Sequence, residues 1–447
     1  MFLDFLLEQF KTNFDKDALI WQDEAYSYGR MLELFENCQE KLKNENLPNG
    51  GVVALDADFS PTAIALLLAL IDSKCIIALM SKAVKEKKAE YYEITEAEYI
   101  ISLGSDDKVA FIKHDRRAEH EIYAKLRNLG HPGVILFSSG STGKSKAAVH
   151  DFIPLLEKFK TKRHAKRTIA FLLFDHIGGL NTMFYTLANG GCLVTVQDRS
   201  PENVCSAIEK HQVQTLPTSP TFINLIMLSE AYLRHNLGSL ELVTYGTEVM
   251  PETTLKKFHS LFPAIHLLQT YGLSEVGILR SKSKSSDSLW MKVGGEEFQT
   301  RVRKGMLEIK AQSAMLGYLN APSPYTEDGW FMTRDEVEVD GEYIKILGRT
   351  SEIINVGGEK VFPAEVESII QLMEGVQDVA VSSEPNPITG HIVKAFVKLS
   401  TTESVKDFRV RLLQFSKYKL PAYKIPQRLV LVDQCMHNDR FKKVRKE

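Results

Sequence analysis

The stretch SSGSTGKSKA, residues Ser138 to Ala147, lies between the apolar run VILF and the segment AAVHDFIPLLEKF, whose pattern predicts a helix. Its small residues let backbone N–H groups approach an anion, its hydroxyl groups can donate hydrogen bonds, and its lysines neutralise negative charge. A Walker P-loop needs glycine at position 138, and that position is serine. The flanking strand and helix disfavour a flexible linker, so the stretch predicts a phosphate-binding loop of another kind.

Strands and helices alternate on both sides of this loop. GVVALDA (51–57) and CIIALM (75–80) are typical of buried strands, and PTAIALLLALI (61–71) between them is typical of a helix. This order predicts an α/β fold of layered helices and largely parallel sheets. The polar segment SKSKSSDS (281–288) has no periodicity and predicts a surface loop.

A smaller unit is expected after about residue 350. A Gly-Gly turn at 357–358 is followed by Pro363, which can open a helix. The pattern then predicts strands around Val379 and at 393–399, a helix from about 403 to 419 and a strand at 428–432. We therefore expect a large N-terminal domain over residues 1–349 and a small α+β domain over residues 350–447.

The composition is that of an ordinary globular protein, with 447 residues, 44% hydrophobic and 25% charged. With 55 Lys and Arg against 57 Asp and Glu, the net charge of −2 gives no field for binding nucleic acid or an acidic membrane, so small-molecule partners are expected. The cysteines are odd in number and lack CxxC spacing, which indicates buried thiols in a reducing compartment. The longest apolar stretch, 62–80, is interrupted by Asp72 and Lys74, so we expect no transmembrane segment and a cytoplasmic location.

The loop resembles the phosphate-binding signature of the adenylate-forming ligases, the family of acyl-CoA synthetases, luciferases and adenylation domains of peptide synthetases. The family loop reads Thr/Ser-Ser-Gly-Thr/Ser-Thr-Gly-x-Pro-Lys-Gly. Here Ser145 replaces the proline, Ala147 replaces the last glycine, and Lys146 matches the lysine. The resemblance implies that the nucleotide is bound by Ser138, Ser139, Gly140, Ser141, Thr142, Gly143 and Lys146.

Further along, YGLSEVG (271–277) resembles the family motif Tyr-Gly-x-Thr-Glu. The resemblance implies that Tyr271 and Gly272 bind the nucleotide, that the hydroxyl of Ser274 meets the α-phosphate, and that Glu275 is an oxygen ligand for Mg²⁺. The upstream segment YGTEVMPE (245–252) resembles the strand and loop that pack against the other side of the adenine. That likeness assigns three more residues to the nucleotide: Gly246, Thr247 and Glu248.

The segment GWFMTRDEVEVDGEYIKILGR (329–349) resembles the family pattern Gly-Trp-Phe-x-Thr-Gly-Asp followed by Gly-Tyr-x-x-x-x-Gly-Arg. A carboxylate can accept from both ribose hydroxyls, and the resemblance gives this role to Asp335. Arg349 adds a fork of donors near ribose or phosphate. Arg334 stands where the family has glycine.

The segment RFKKVRKE (440–447) resembles the family's closing Gly-Lys-hydrophobic-x-basic motif. We align Lys442 with the glycine and Lys443 with the lysine, which makes Lys443 the expected catalytic lysine, although Lys442 competes for the role. A lysine suits this role because it is a mobile point charge able to reach carboxylate and α-phosphate oxygens.

The resemblance implies a two-step reaction in a cleft between the large domain and a small mobile lid. A carboxylate attacks the α-phosphate of Mg·ATP and releases pyrophosphate, and the acyl-adenylate then passes to the thiol of CoA or of a carrier protein's phosphopantetheine arm. The lid is expected to turn about a hinge near Ser351 and Glu352 and to bring residues 357–360 towards the thiol.

The acid itself is not defined by the sequence. In FDHIGGL (174–180), His176 with Gly178 resembles the aromatic-His-x-Gly-Gly pattern of CoA ligases, whereas Asp175 after Phe174 resembles the aspartate with which peptide-synthetase domains hold an amino group. Three hypotheses stay open: an acyl-CoA ligase, an enzyme that loads an amino acid or acyl group onto a carrier protein, and a non-catalytic nucleotide-binding relative. The retained charged residues favour an enzyme.

Overall fold

The computed structural model describes residues 2–139, 145–295, 297–434 and 436–445. The first sheet has seven strands, parallel except for one edge strand. In spatial order they are β13 (His266–Gln269), β12 (Leu242–Tyr245), β11 (Thr215–Thr218), β9 (Arg167–Ile169), β10 (Cys192–Val194), β1 (Asp17–Trp21) and β2 (Glu24–Ser27).

The second sheet also has seven strands, with a parallel centre and antiparallel edges. In spatial order they are β20 (Gly317–Tyr318), β8 (Ser145–Asp151), β7 (Gly133–Ser139), β4 (Ile76–Met80), β3 (Val52–Asp56), β5 (Tyr99–Leu103) and β6 (Val109–Lys113). Alternate side chains of the central strands enter different cores: Val53 and Leu55 pack on one face, and Val52 and Ala54 pack on the other. This two-sided burial explains why the strand is apolar throughout.

Helices cover both sheets and separate them. Between the two sheets lie α1 (Asp4–Thr12), α2 (Tyr28–Asn44), α3 (Pro61–Asp72), α6 (Phe152–Glu157) and α7 (Ile177–Ala188). The far face of the first sheet carries α8 (Pro201–His211), α9 (Pro220–Ser229) and α10 (Glu252–Leu261), and that of the second carries α4 (Lys88–Ile94) and α5 (Glu121–Leu129). The large domain is therefore a layered α/β structure.

Three of these helices begin with the dipeptide Ser-Pro. Ser60, Ser200 and Ser219 each accept a hydrogen bond from the backbone N–H three residues later, and the following proline occupies the first helical turn. A serine cap satisfies an otherwise unpaired N–H group, and proline has the φ angle that the first turn needs. The sequence thus fixes the starts of α3, α8 and α9 locally.

The remainder of the large domain is an antiparallel six-stranded sheet and a short hairpin. The sheet contains β16 (Ser281–Ser283), β17 (Met291–Val293), β22 (Tyr343–Arg349), β21 (Phe331–Asp340), β19 (Met306–Ala311) and β18 (Phe298–Arg303). The hairpin pairs β14 (Gly272–Leu273) with β15 (Gly277–Ile278) and encloses Ser274 and Glu275.

The small domain has its own core. Its sheet contains β24 (Glu359–Val361), β23 (Ile354–Val356), β26 (Gly390–Leu399), β25 (Val376–Asn386) and β27 (Arg428–Leu431), and its helices are α11 (Pro363–Ile370) and α12 (Val405–Ser416). Residues 354–429 form one buried cluster of their own. The predicted division at residue 350 stays a prediction, whereas the predicted class, a large α/β unit with a small α+β unit, is confirmed.

Two local predictions were wrong. The helix predicted over 147–159 is present only as α6 (Phe152–Glu157), whereas residues 147–151 belong to β8, which pairs with β7 over its whole length, so the predicted phosphate-binding loop joins two antiparallel strands. Ala147 and Ala148 enter different cores, which requires the alternation of a strand. The predicted loop at 281–288 begins as the strand β16, where the hydroxyl of Ser283 accepts from the N–H of Gln269.

The cysteine thiols and the apolar helices bear on two further predictions. The cysteines Cys38, Cys75, Cys192 and Cys205 are buried free thiols, and Cys435 lies outside the described residues. Within the part of the chain that the structure describes, no helix combines the length and the apolar character that crossing a bilayer requires.

Candidate active site

A cavity of about 670 Å³ lies between the large domain and residues 438–442. Residues at the carboxyl ends of parallel strands line this cavity. Ligands bind at this end of the strands in open α/β sheets. The predicted site residues that line it are Ser138, Lys146, His176, Gly178, Gly246, Thr247, Gly272, Ser274, Glu275 and Arg349. Gly140, Ser141, Thr142 and Gly143, with the side chain of Ser139, lie outside the described residues.

Glu275 sits at the tip of the β14–β15 hairpin. Its Oε1 accepts from the Tyr318 hydroxyl at 2.8 Å and lies 3.4 Å from the Ser138 hydroxyl, which links the hairpin to the strand before the phosphate-binding loop. No group of three or more His, Cys, Asp or Glu side chains among the described residues is arranged to hold a metal ion. A single carboxylate beside a phosphate site fits Mg²⁺, because Mg²⁺ is commonly held by one or two carboxylates and by substrate phosphates.

A buried histidine contacts the backbone of this hairpin. His150 on β8 is fully buried, with Nε2 2.6 Å from the carbonyl oxygen of Ser274 and Nδ1 3.1 Å from that of Ser313. Burial lowers the pKa of His150, and both carbonyl contacts oppose that shift. Sequence analysis missed this residue; its only signal was a histidine within an apolar strand.

Sequence analysis also missed the segment that follows β20. This segment bonds to the start of β8, directly after the predicted phosphate-binding loop. Asn320 donates to the carbonyl of Ser145 at 2.8 Å and accepts from the N–H of Ala147 at 3.1 Å. The amine of Lys146 lies 5.4 Å from the centre of the Tyr318 ring, within the range of a cation–π contact. Tyr318 therefore contacts both Lys146 and Glu275.

Asp335 is buried between two protein donors. Its carboxylate accepts from the Tyr271 hydroxyl and from Nε of Arg349, the latter at 3.1 Å. Burial raises the pKa of Asp335, and Arg349 opposes that shift. Tyr271 and Asp335 lie behind the cavity wall, so their binding of adenine and ribose stays a prediction. The adjacent Arg334 has φ of 63°, the left-handed conformation that favours the glycine of the family motif.

The two lysines of the tail face opposite ways. Lys442 lines the cavity, and burial together with Arg349 and Arg440 lowers the pKa of Lys442 to about 8. Lys443 instead donates to the carbonyl of Val379 at 2.7 Å, on the small domain. The predicted catalytic role of Lys443 is not tested by this arrangement, but its amine lies outside the cavity.

Glu248 also lies away from the cavity. Its Oε1 accepts from the backbone N–H of Thr221, and its Oε2 accepts from the backbone N–H of Lys443 at 3.0 Å. The side chain thus joins the large domain to the tail, and its predicted nucleotide-binding role stays a prediction.

The segment before α7, which was predicted to bind the acid, forms part of the cavity wall. Nδ1 of His176 accepts from the N–H of Gly178 at 3.1 Å, so a neutral ring carries its proton on Nε2. Burial, with Lys442 and Arg440 nearby, holds the pKa of His176 well below its usual value. A side chain at Gly179 would meet the carbonyl of Leu173 at 1.9 Å, which explains the second glycine of the motif.

Asp175, the predicted ligand of a substrate amino group, is paired within the protein. Its Oδ2 accepts from Nη2 of Arg440 at 3.2 Å.

A second cavity, of about 720 Å³, lies between the strand ends of the first two sheets and residues 437–441. Residues 437–442 therefore stand between the two cavities.

Comparison with known families identifies the class of protein. A family model described as AMP-binding enzyme matches residues 6–294, and one described as AMP-binding enzyme C-terminal domain matches residues 365–442. The chain belongs to the AMP-binding enzymes, the family of adenylate-forming ligases.

Several curated relatives are CoA ligases. A 2-succinylbenzoate–CoA ligase of Bacillus licheniformis is 24% identical, over 96% of this chain and 96% of its own length. A propanoyl:CoA ligase of Rhodococcus jostii with an octahydroindenyl substituent in its name is 24% identical, over 74% of this chain and 68% of its own length. A long-chain-fatty-acid–CoA ligase of Bacillus subtilis is 26% identical, and the chain spans only 57% of its length.

Solved structures share the fold over nearly the whole chain. An anthranilate CoA ligase in complex with anthranoyl-AMP matches with a TM-score of 0.83 at 18% identity, covering 99% of this chain and 95% of its own. The o-succinylbenzoate CoA synthetase of Bacillus subtilis, in complex with its acyl-adenylate intermediate, matches with a TM-score of 0.77 at 19% identity, covering 99% and 97%.

Proposed function

We propose that this enzyme is an acid–CoA ligase. It activates a carboxylic acid with Mg·ATP to an acyl-adenylate, releases pyrophosphate, and transfers the acyl group to the thiol of CoA. The observation that carries the proposal is the meeting of Glu275, Lys146 and Lys442 around one cavity, although they come from distant parts of the chain. The CoA-ligase relatives support the choice of acceptor.

The first half-reaction needs positioned charge rather than a protein nucleophile. As the acid's carboxylate oxygen bonds to the α-phosphorus and pyrophosphate leaves, negative charge shifts between oxygens that cations must face. Lys442 and Arg349 line the cavity and supply such cations, and Lys146 flanks the phosphate-binding loop. Glu275 would hold Mg²⁺, which neutralises phosphate charge when bound, and Tyr318 orients the Glu275 carboxylate.

Lys442 is the better candidate for the catalytic lysine. Phe441 has φ of 51°, the left-handed conformation that the glycine of the family's Gly-Lys pair favours. Aligning Phe441 with that glycine makes Lys442 the lysine. The depressed pKa of Lys442, about 8, reflects burial next to Arg349 and Arg440, and the negative charge of bound phosphate would stabilise its charged form.

The second cavity is a suitable route for the acceptor thiol. Phe59, Leu103 and Phe174 give it apolar walls that suit a pantetheine arm, and residues 437–441 separate it from the first cavity. We assign the acceptor to CoA rather than to a carrier protein because of the relatives. The buried free thiols support a reducing, cytoplasmic location.

Pyrophosphate exchange into ATP tests the proposal. A panel of fatty, aryl and amino acids should show magnesium-dependent exchange with one class, followed by thioester formation when CoA is added. Exchange without transfer to CoA, but with transfer to a phosphopantetheinylated carrier protein, would favour the loading enzyme. ATP binding without exchange for any acid would favour a non-catalytic relative.

A further inference from the structure

Asp175 is a buried carboxylate whose ion-pair partner is Arg440, with the charge of Arg199 also acting on it. Its side chain is 3% exposed, and its Oδ2 lies 3.2 Å from Nη2 of Arg440. Its Oδ1 has no hydrogen-bond partner among the described residues. A buried charge is costly unless it is paired, so the state of Asp175 is coupled to the position of Arg440.

Arg440 belongs to the same turn as Lys442, and one side chain bonds to the backbone of both. The Asn438 side-chain oxygen accepts from the N–H of Arg440 at 3.0 Å and from the N–H of Lys442 at 3.1 Å. The left-handed φ of Phe441 lies between them, and both basic side chains line the first cavity. A displacement of Arg440 therefore displaces Lys442.

Other contacts hold this turn through its backbone and its aromatic ring. Arg199 donates to the carbonyl of Asp439 at 2.9 Å, and Ser219 donates to the carbonyl of Phe441 at 2.7 Å. The Phe441 ring lies about 5 Å from those of Phe171 and Phe222. Among the described residues, the Asp175–Arg440 contact is the ion pair that joins residues 437–442 to the large domain.

We propose that Asp175 is a positioning residue of the adenylation half-reaction, which holds Arg440 and thereby presents Lys442 to the α-phosphate, and that it is not the ligand of a substrate amino group. This inference rests on the proposed function. It predicts that Asp175 matters equally for acids with and without an amino group.

The same pair opposes departure of the lid. If the lid turns for thioester formation, as the family resemblance implies, Arg440 leaves and Asp175 stays buried without its ion-pair partner, which disfavours that arrangement. Neutralising Asp175 should therefore affect the two half-reactions in opposite directions. A role in overall stability alone would affect both alike.

The test compares Asp175→Asn with Asp175→Glu. Asp175→Asn should slow pyrophosphate exchange about 10- to 100-fold, the effect expected when a catalytic group is misplaced by about an ångström. Thioester formation from added acyl-adenylate should be unchanged or faster, and Asp175→Glu should restore part of the exchange rate. Asp175→Asn combined with Arg440→Met should be no slower than the slower single variant, because both changes remove one interaction.

The matched control is Asp17→Asn, which breaks the pair between Asp17 on β1 and Arg167 on β9, neither of which lines the first cavity, and it should leave both half-reactions unchanged. Two results would overturn the proposal: a loss of pyrophosphate exchange only with amino-substituted acids, or an equal loss of rate in both half-reactions.

Hydrogen exchange provides a readout without catalysis. The amides of Arg440 and Lys442 should exchange faster in Asp175→Asn than in the unaltered protein, with ATP present in both. If the unaltered protein activates no acid, the proposed function fails, while this measurement still decides whether Asp175 holds the turn. Identical hydrogen-exchange rates of these two amides in the two proteins would contradict the positioning role.

Discussion

The amine of Lys443 lies 3.2 Å from the carboxylate of Asp378, on the side of the tail that faces away from the first cavity. The side chain of Lys442, the preceding residue, instead lines that cavity. The adjacent lysines therefore have different surroundings, since Lys442 faces the cavity and Lys443 ties the tail to the small domain.

Replacing each lysine by alanine should separate these roles. Lys442→Ala should slow pyrophosphate exchange by about 100- to 1,000-fold, the usual effect of removing one donor to developing charge. Lys443→Ala should lower the free energy of unfolding by about 1 to 3 kcal/mol, because Asp378 loses its partner, with a smaller effect on exchange. Exchange rates and urea unfolding measure the two effects. The reverse pattern would restore Lys443 as the catalytic lysine.

The adenylation half-reaction should weaken at alkaline pH. Since the pKa of Lys442 in the free enzyme is about 8, its charged form decreases above that pH, and kcat/KM for adenylate formation should fall about tenfold per pH unit. Lys442→Arg, if active, should lack this fall, because arginine stays charged. A profile that is flat from pH 7 to 10 in the unaltered enzyme would contradict the assignment.

The contribution of Lys442 to the free energy of unfolding should instead increase as pH rises. Unfolding returns the pKa of Lys442 from about 8 to its ordinary value of 10.5, so the unfolded chain binds more protons between these pH values. The contribution of this group to the free energy of unfolding therefore rises as pH increases through that window. The difference in unfolding free energy between the unaltered protein and Lys442→Met, followed from pH 7 to 10, isolates this contribution.

Removing the charge of Glu275 should weaken magnesium dependence specifically. Glu275→Gln should raise the Mg²⁺ concentration for half-maximal exchange at least tenfold, because a charged oxygen ligand is lost. Tyr318→Phe should raise it less, since the carboxylate stays but loses an orienting hydrogen bond. Glu338→Gln, which removes an exposed partner of Lys345, is the matched control and should leave this concentration unchanged. An unchanged magnesium requirement in Glu275→Gln would exclude it as a ligand.

The left-handed conformation of Arg334 should make glycine favourable there. Arg334→Gly should raise the free energy of unfolding by up to about 1 kcal/mol, since a side chain in this conformation costs about 1 to 2 kcal/mol and glycine adds chain entropy to the unfolded state. Lys345→Gly, within the regular strand β22, should have the opposite effect and serves as control. Urea midpoints compare the two; a loss of stability in both would refute the strain argument.

Sequence alone indicated what is determined locally. The helix predicted at 61–71 is α3, and its start is set by a bond within four residues, because Ser60 accepts from the N–H of Ala63. The strand β8 was missed because its alanines favour a helix, and only pairing with β7 makes it a strand. The partner of Asp175 could not be predicted, because Arg440 lies 265 positions away. Sequence analysis took Lys443 as the catalytic lysine, and the left-handed φ of Phe441, which supports the proposed alternative Lys442, has no signal in the sequence.

The order of strands in the first sheet bears on how the chain folds during synthesis. The strand β1 pairs with β10, where Leu19 lies opposite Leu193, whereas the parallel centre of the second sheet is made entirely from the residues between them. The ribosome therefore completes β3, β4, β5 and β7 before β10, the parallel partner of β1, exists, although the adjacent β2 can already pair with β1. Because distant pairings close slowly, one of the earliest segments to emerge finds its place late, and it needs protection from aggregation until then.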